Sequence, residues 1–180
     1  MISEFSTSPK PQNKSAHTVC AVAMAVFAAL AIAYAAADKY KGVIGLAALA
    51  FLTAGIYIYT KYVAVKYYYD VTFDADASPI FVVRQLTGKR CTTNLRISLC
   101  DIREIVKENK EERRKSRAPE GVARYYYTPT LFPDITYRII VKSRYESCEV
   151  LIEGSDGFAE MLLAYANEAR MLSQDEEDDY

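Results

Sequence analysis

The residues of this chain that have the chemistry for catalysis are few and scattered. Asp74 and Asp76 offer two carboxylates, but Asp74-Ala75-Asp76 lies between two strand-like runs, where paired acids read as solvated turn residues. His17 is the single histidine and opens an apolar run, so no imidazole serves a nucleophile in the rest of the chain. Cys20, Cys91, Cys100 and Cys148 form no Cys-x-x-Cys pair and have no companion histidine, a spacing that fits neither a zinc site nor a redox dithiol. They read as small buried hydrophobes, unpaired as thiols are in a reducing compartment. There is no Gly-rich phosphate loop and no Gly-x-Ser-x-Gly elbow. The expectation is therefore a protein that is not an enzyme and that uses no cofactor and no metal.

Two stretches have the chemistry for binding instead. Arg113, Arg114, Lys115 and Arg117 form a basic cluster that could meet anionic lipid, where each cation near the surface contributes about 1 kcal/mol. Glu108, Glu111 and Glu112 precede it and dilute the charge, so a solvated, flexible loop is the competing expectation. Tyr125, Tyr126, Tyr127 and Phe132, in a stretch broken by Pro129 and Pro133, are candidates for a partner contact, because aromatic rings bury large area at small entropic cost. The alternative is that these rings pack under the domain or against a membrane surface. With 22 basic and 23 acidic residues, no field of one sign covers the molecule, and nucleic acid is not an expected partner. Residues 173–180, nearly all polar and acidic, are expected to be a disordered tail, and residues 1–15 a disordered leader.

What must position these surfaces is dominated by residues 16–37 and 42–62, two apolar runs separated by Asp38-Lys39-Tyr40-Lys41. At about 1.5 Å of rise per residue each run is long enough to cross a hydrocarbon core of roughly 30 Å. A linker that short cannot recross a bilayer, so the expectation is a transmembrane hairpin, residues 16–65, with both termini on one side. Lys10, Lys14, Lys61 and Lys66 outside, against Lys39 and Lys41 in the linker, place both termini in the cytoplasm of a multi-pass protein of the cell membrane. A cleavable signal ending at Ala35-Ala36-Ala37 is the alternative for the first run, which is longer than the usual signal core. Neither run contains an acid, Lys or Arg in its hydrocarbon-spanning part, which argues against an ion path or a proton relay. Tyr57, Tyr59, Tyr62, Tyr67, Tyr68 and Tyr69 form an interfacial belt where the second run leaves the lipid.

Ala21, Ala25, Ala29 and Ala33 recur every four residues and line one face of the first helix. Gly45, Ala48, Leu52 and Gly55 do the same on the second. Small residues let helix backbones approach, so these stripes are expected to pack the hairpin, with homo-oligomerisation through the same stripe as the sharper hypothesis.

Beyond the hairpin, residues 66–172 read as about seven short antiparallel strands closed by an amphipathic helix carrying Phe158, Met161, Leu162, Tyr165, Ala166, Ala169 and Leu172 on one side. Ser155 or Asp156 is placed to cap it. Tyr69-Asp70-Val71-Thr72, the segment from Leu95-Arg96-Ile97-Ser98-Leu99 through Cys100-Asp101-Ile102-Arg103-Glu104-Ile105, and the closing Phe158 helix resemble the bacterial pleckstrin-homology-like modules that follow one or two membrane helices. The resemblance implies a bent sheet plugged by the helix and no general catalytic activity; it carries no active site across. The expectation is a membrane-tethered binding or scaffold module on the lipid bilayer, or an accessory or regulatory subunit of a larger membrane complex, with a membrane or cytoplasmic protein as partner.

Overall fold

The computed structural model describes residues 2–37, 39–116, 118–143 and 147–178. The chain divides into two compact units: residues 12–65 with 130–132, and residues 1–11, 66–129 and 133–180.

The first unit is a pair of helices. α1 (Ser15–Ala36) and α2 (Lys41–Ile58) form because uninterrupted Ala, Val, Leu and Ile runs have no internal proline, and a π turn at Tyr59–Val63 prolongs α2. Both helices are long and apolar enough to cross a membrane. They pack through a narrow seam. On α1 it is made by Ala16, Cys20, Ala23, Phe27 and Leu30, at spacings of three and four, and on α2 by Ile44, Gly45, Ala48, Leu52 and Gly55. A Cβ on Gly55 would stand 3.3 Å from Met24 Sδ and 3.6 Å from Ala23 Cβ, and one on Gly45 would stand 3.3 Å from the Tyr34 ring. The expectation for α1 is corrected: Ala21, Ala25, Ala29 and Ala33 are all exposed, on the face turned away from α2. Larger residues were able to take the seam because the glycines opposite leave room for them. Gly55→Leu is therefore expected to force the helices apart and cost about 1–3 kcal/mol, whereas Ala29→Leu should be near neutral. The thermal midpoints of the two detergent-solubilised full-length variants check this.

Segment 130–132 belongs with this unit, where Gln12 N donates to Thr130 Oγ1 at 2.9 Å and Asn13 Nδ2 to the Phe132 carbonyl at 2.9 Å.

Among the described residues the second unit holds two four-stranded sheets, a short helix and a long closing helix. The first sheet runs in the order β1 (Phe5–Thr7), β2 (Val65–Phe73), β3 (Pro79–Thr87), β4 (Arg90–Ser98). Gly88, at φ 60°, supplies the left-handed residue that the tight β3–β4 turn needs. The second runs β5 (Ile102–Asn109), β7 (Ile135–Lys142), β8 (Ser147–Ile152), β6 (Ala123–Tyr127), with α3 (Lys110–Lys115) following β5. α4 (Asp156–Asp178) closes the unit through Phe158, Leu162, Ala166 and Ala169. The core between them is built from alternate strand residues: Tyr69, Val71, Phe81, Val83, Leu99, Ile102, Ile139, Val150 and Ile152 are almost fully buried.

Four expectations change here. Among the described residues there are eight strands, because residues 5–7 of the supposed disordered leader pair antiparallel with β2, Phe5 opposite Val71. Phe5 also stacks on Phe158, ring centroids 6.0 Å apart, which adds a side-chain anchor to the strand pairing. β6 pairs parallel with β8, so the sheets are not wholly antiparallel. α4 continues to Asp178, through most of the stretch expected as a tail, while Asp179 and Tyr180 lie outside the described residues; Leu172 is exposed because the helix has by then run past the core.

Candidate functional site

Among the described residues no group of three or more His, Cys, Asp or Glu is placed to hold a metal ion. The candidate surfaces are therefore clefts and charge clusters.

The basic cluster does not form a loop. Asn109 Oδ1 accepts from the N–H groups of Glu111 (3.1 Å) and Glu112 (3.0 Å), and Glu112 Oε2 accepts from Asn109 N at 3.0 Å. This reciprocal cap starts α3, and Glu112, one of the acids that dilute the cluster, is the side chain that closes it. Arg113 is half-buried and donates to the Pro133 carbonyl at 2.8 Å and to Thr136 Oγ1 at 3.3 Å. Arg114 and Lys115 are exposed, and Arg117 lies outside the described residues. Of the expected lipid contacts, Arg113 is thus a structural pin.

The aromatic candidates are split as well. Strand alternation puts Tyr125 and Tyr127 on one face of β6, stacked at 6.4 Å, and Tyr126 on the other. Tyr125 and Tyr127 line a groove of about 320 Å³ between β4 and the second sheet, and the Tyr127 hydroxyl donates to the Asn94 carbonyl at 3.3 Å. Phe132 is exposed and belongs to the helical unit.

The best-formed cleft was not anticipated. It lies on the outer face of the first sheet, has a volume of about 450 Å³, and is floored by Ile80 and Val82. Asp70, Arg84, Thr72, Glu4 and Arg96 surround that floor. Asp70 is buried and ion-paired with Arg84 through one carboxylate oxygen; its other oxygen, also buried, has no partner. Thr72 Oγ1 donates to Glu4 Oε1 at 3.3 Å. Charges on either side of an apolar floor suit a polar ligand with both donor and acceptor groups. The signal available in the sequence was the alternation Tyr69-Asp70-Val71-Thr72, which turns Asp70 and Thr72 outward when Tyr69 and Val71 turn in. The strand order that brings Arg84 and Arg96 beside them is not written locally.

The outer face of the second sheet is sealed by ions. In strand order β5, β7, β8, β6, one charged residue from each strand alternates in sign: Glu108, Arg138, Glu149, Arg124. Arg138 Nε lies 2.8 Å from Glu108 Oε1, Arg138 Nη1 donates to Glu149 Oε1 at 2.8 Å, and Arg124 Nε donates to Glu149 Oε2 at 2.7 Å. Burial pulls the Arg124 pKa down, but the hydrogen bonds it makes to Glu149 and Tyr126 outweigh that and leave it raised.

At the start of α4, Asp156 accepts from Lys107 Nζ and from the Tyr137 hydroxyl, each at 2.7 Å. Lys107, and then Tyr137, hold its carboxyl below the usual range, while burial, reinforced by Asp156, pushes Tyr137 up to about 12. Ser155 is the residue that caps the helix, its Oγ accepting from Phe158 N at 3.2 Å.

No family model matches this chain, and no curated protein sequence matches it either.

Proposed function

We propose that this protein is a membrane-tethered, non-catalytic binding or scaffold module, in which α1 and α2 cross the bilayer as a hairpin and the two-sheet unit stands at the cytoplasmic face. The observation that carries this is the contrast between the helices' composition and their burial. The most apolar 18-residue stretches of α1 and of α2 with its π turn have mean hydropathies of 2.4 and 1.9, yet the seam covers only a narrow strip, and Ile32 and Leu46 are 74% and 71% exposed. A helix that is apolar all round and unburied by its own chain needs a hydrocarbon solvent. The lysine distribution and the free thiols support the cytoplasmic placement. Two sheets closed by a C-terminal helix agree with a pleckstrin-homology-like domain; the parallel β6 and the added β1 are departures from the simple pattern. The other reading, an accessory subunit of a membrane complex, draws on the outward alanine face of α1.

Two measurements on the full chain test the proposal. Alkaline carbonate should leave it in the membrane pellet, and release into the supernatant would end the membrane reading. Cys91, which is exposed, should react with an impermeant maleimide only after sealed right-side-out vesicles are opened. Labelling of closed vesicles would put the two-sheet unit on the other side. Chemical crosslinking in the membrane then separates the readings: a heterologous partner favours the subunit, and monomer alone favours the tethered module.

A further inference from the structure

We infer that the two-sheet unit carries a binding cavity for a phosphate-type oxyanion, where the turn from β4 to β5 meets the end of β7 and the second half of α4. This site is separate from the cleft on the first sheet, and it does not depend on the membrane placement. The cavity has a volume of about 620 Å³, and its lining includes Arg103 from β5, Lys142 from β7 and Arg170 from α4, with the hydroxyls of Ser143 and Ser173 and one carboxylate, Asp101. Among the described lining residues, three cations face one acid.

Four other arginines of this unit have partners. Arg84 pairs with Asp70, Arg113 with backbone and Thr136, and Arg124 and Arg138 with glutamates. Arg103 and Lys142 are exposed and have no hydrogen bond or ion pair among the described residues, although both line the same cavity as a third cation. Gathering three cations around a single carboxylate is unfavourable, and the fold has the means to place them. The β5–β7 ladder pairs Ile102 with Val141 and then Glu104 with Ile140, so Arg103 is the extra residue of a β-bulge. A bulge takes a side chain out of strand alternation and re-aims it, and such features gather beside functional sites. Arg170 is held by its own helix, with Nε on the Ala166 carbonyl at 3.4 Å and Nη2 on Asn167, which leaves Nη1 unengaged. The Cys100 thiol donates to the Ala169 carbonyl at 3.4 Å and keeps α4 against the turn.

A carboxylate is satisfied by one arginine fork. Three cations from three elements, with the Ser143 hydroxyl as a further donor, suit an anion with more oxygens and more than one charge, and the volume leaves room for a small group attached to it. The phosphate could be free, on a soluble molecule, or in a lipid headgroup.

The test uses the full chain in detergent. Pyrophosphate is titrated calorimetrically at constant ionic strength into wild type, R103Q, K142Q and R114Q. Wild type should bind, R103Q and K142Q should each weaken binding roughly tenfold, as loss of one charged hydrogen bond predicts, and R114Q, on α3, should not. Arg103 and Lys142 are exposed, so unchanged thermal midpoints will show that the variants fold. No binding by wild type to pyrophosphate and no retention of phosphatidic acid over phosphatidylcholine in native mass spectrometry would overturn the inference. Equal weakening by R114Q would overturn it too, by showing a diffuse charge effect. Retention of phosphatidic acid alone, lost in R103Q, would assign the headgroup as the source, and pyrophosphate binding alone would assign a soluble ligand.

Discussion

Glu149→Gln is expected to destabilise the two-sheet unit by about 3 kcal/mol, the lower end of what breaking a buried ion pair costs. The Glu149 side chain is only 3% exposed and receives a guanidinium on each oxygen, Arg138 on Oε1 and Arg124 on Oε2. The amide keeps one acceptor, but its NH₂ must then face an arginine N–H, and two buried cations are left with Glu108 as their sole anion. Thermal unfolding of the full chain in detergent, followed by the near-ultraviolet signal of the tyrosines, should show a midpoint lower by on the order of 10 °C. A double replacement, R138M with E149L, removes one charge of each sign and preserves neutrality. It should cost clearly less than the sum of R138M and E149L alone. Strict additivity would mean that the row of charges does not act as a unit.

Tyr69→Phe is the second large effect, about 2–3 kcal/mol, although it removes one oxygen and no ring. Tyr69 is fully buried, and its hydroxyl donates to the Tyr127 carbonyl at 2.6 Å and accepts from Glu153 N at 3.3 Å. The ring itself sits between Phe81 and Phe158, centroids 6.3 and 6.0 Å away. One side chain from the first sheet thus satisfies backbone groups of the second and supports α4. Phenylalanine fills the same space but leaves a buried carbonyl without its partner and weakens the hold on a buried N–H, and each such loss costs about 1–3 kcal/mol. Burial, the largest cause, also drives the Tyr69 phenol well above its ordinary pKa, so it remains a neutral donor throughout the physiological range. The same midpoint measurement checks the prediction, and a shift below about 1 kcal/mol would mean that water replaces the lost hydroxyl.

Much of the architecture was legible because it is local. Two apolar runs with a four-residue break imply two helices, and period-two alternation bounded by Asp74, Gly88 and Gly154 implies strands near their observed limits. β1 escaped because three residues are too few for alternation to register, and Phe5 is a lone signal. α3 escaped because its charged residues look like a loop until Asn109 and Glu112 are recognised as reciprocal caps. The alanine stripe was assigned to the wrong face of α1 because small size shows where a helix can approach, and the seam was decided by which residues of α2 left room.

By itself, then, the sequence determined the helices, most of the strands and the closing helix, since each follows from apolar periodicity and turn chemistry within a few neighbouring residues. Only the tertiary structure decided which charges meet. Glu108, Arg124, Arg138 and Glu149 look like ordinary solvated residues of four separate strands, and they become a buried row only when β6 lies parallel beside β8. Arg103, Lys142 and Arg170 likewise share a cavity only once a bulge and a helix crossing bring them together, because contacts between residues distant in the chain depend on strand order and register.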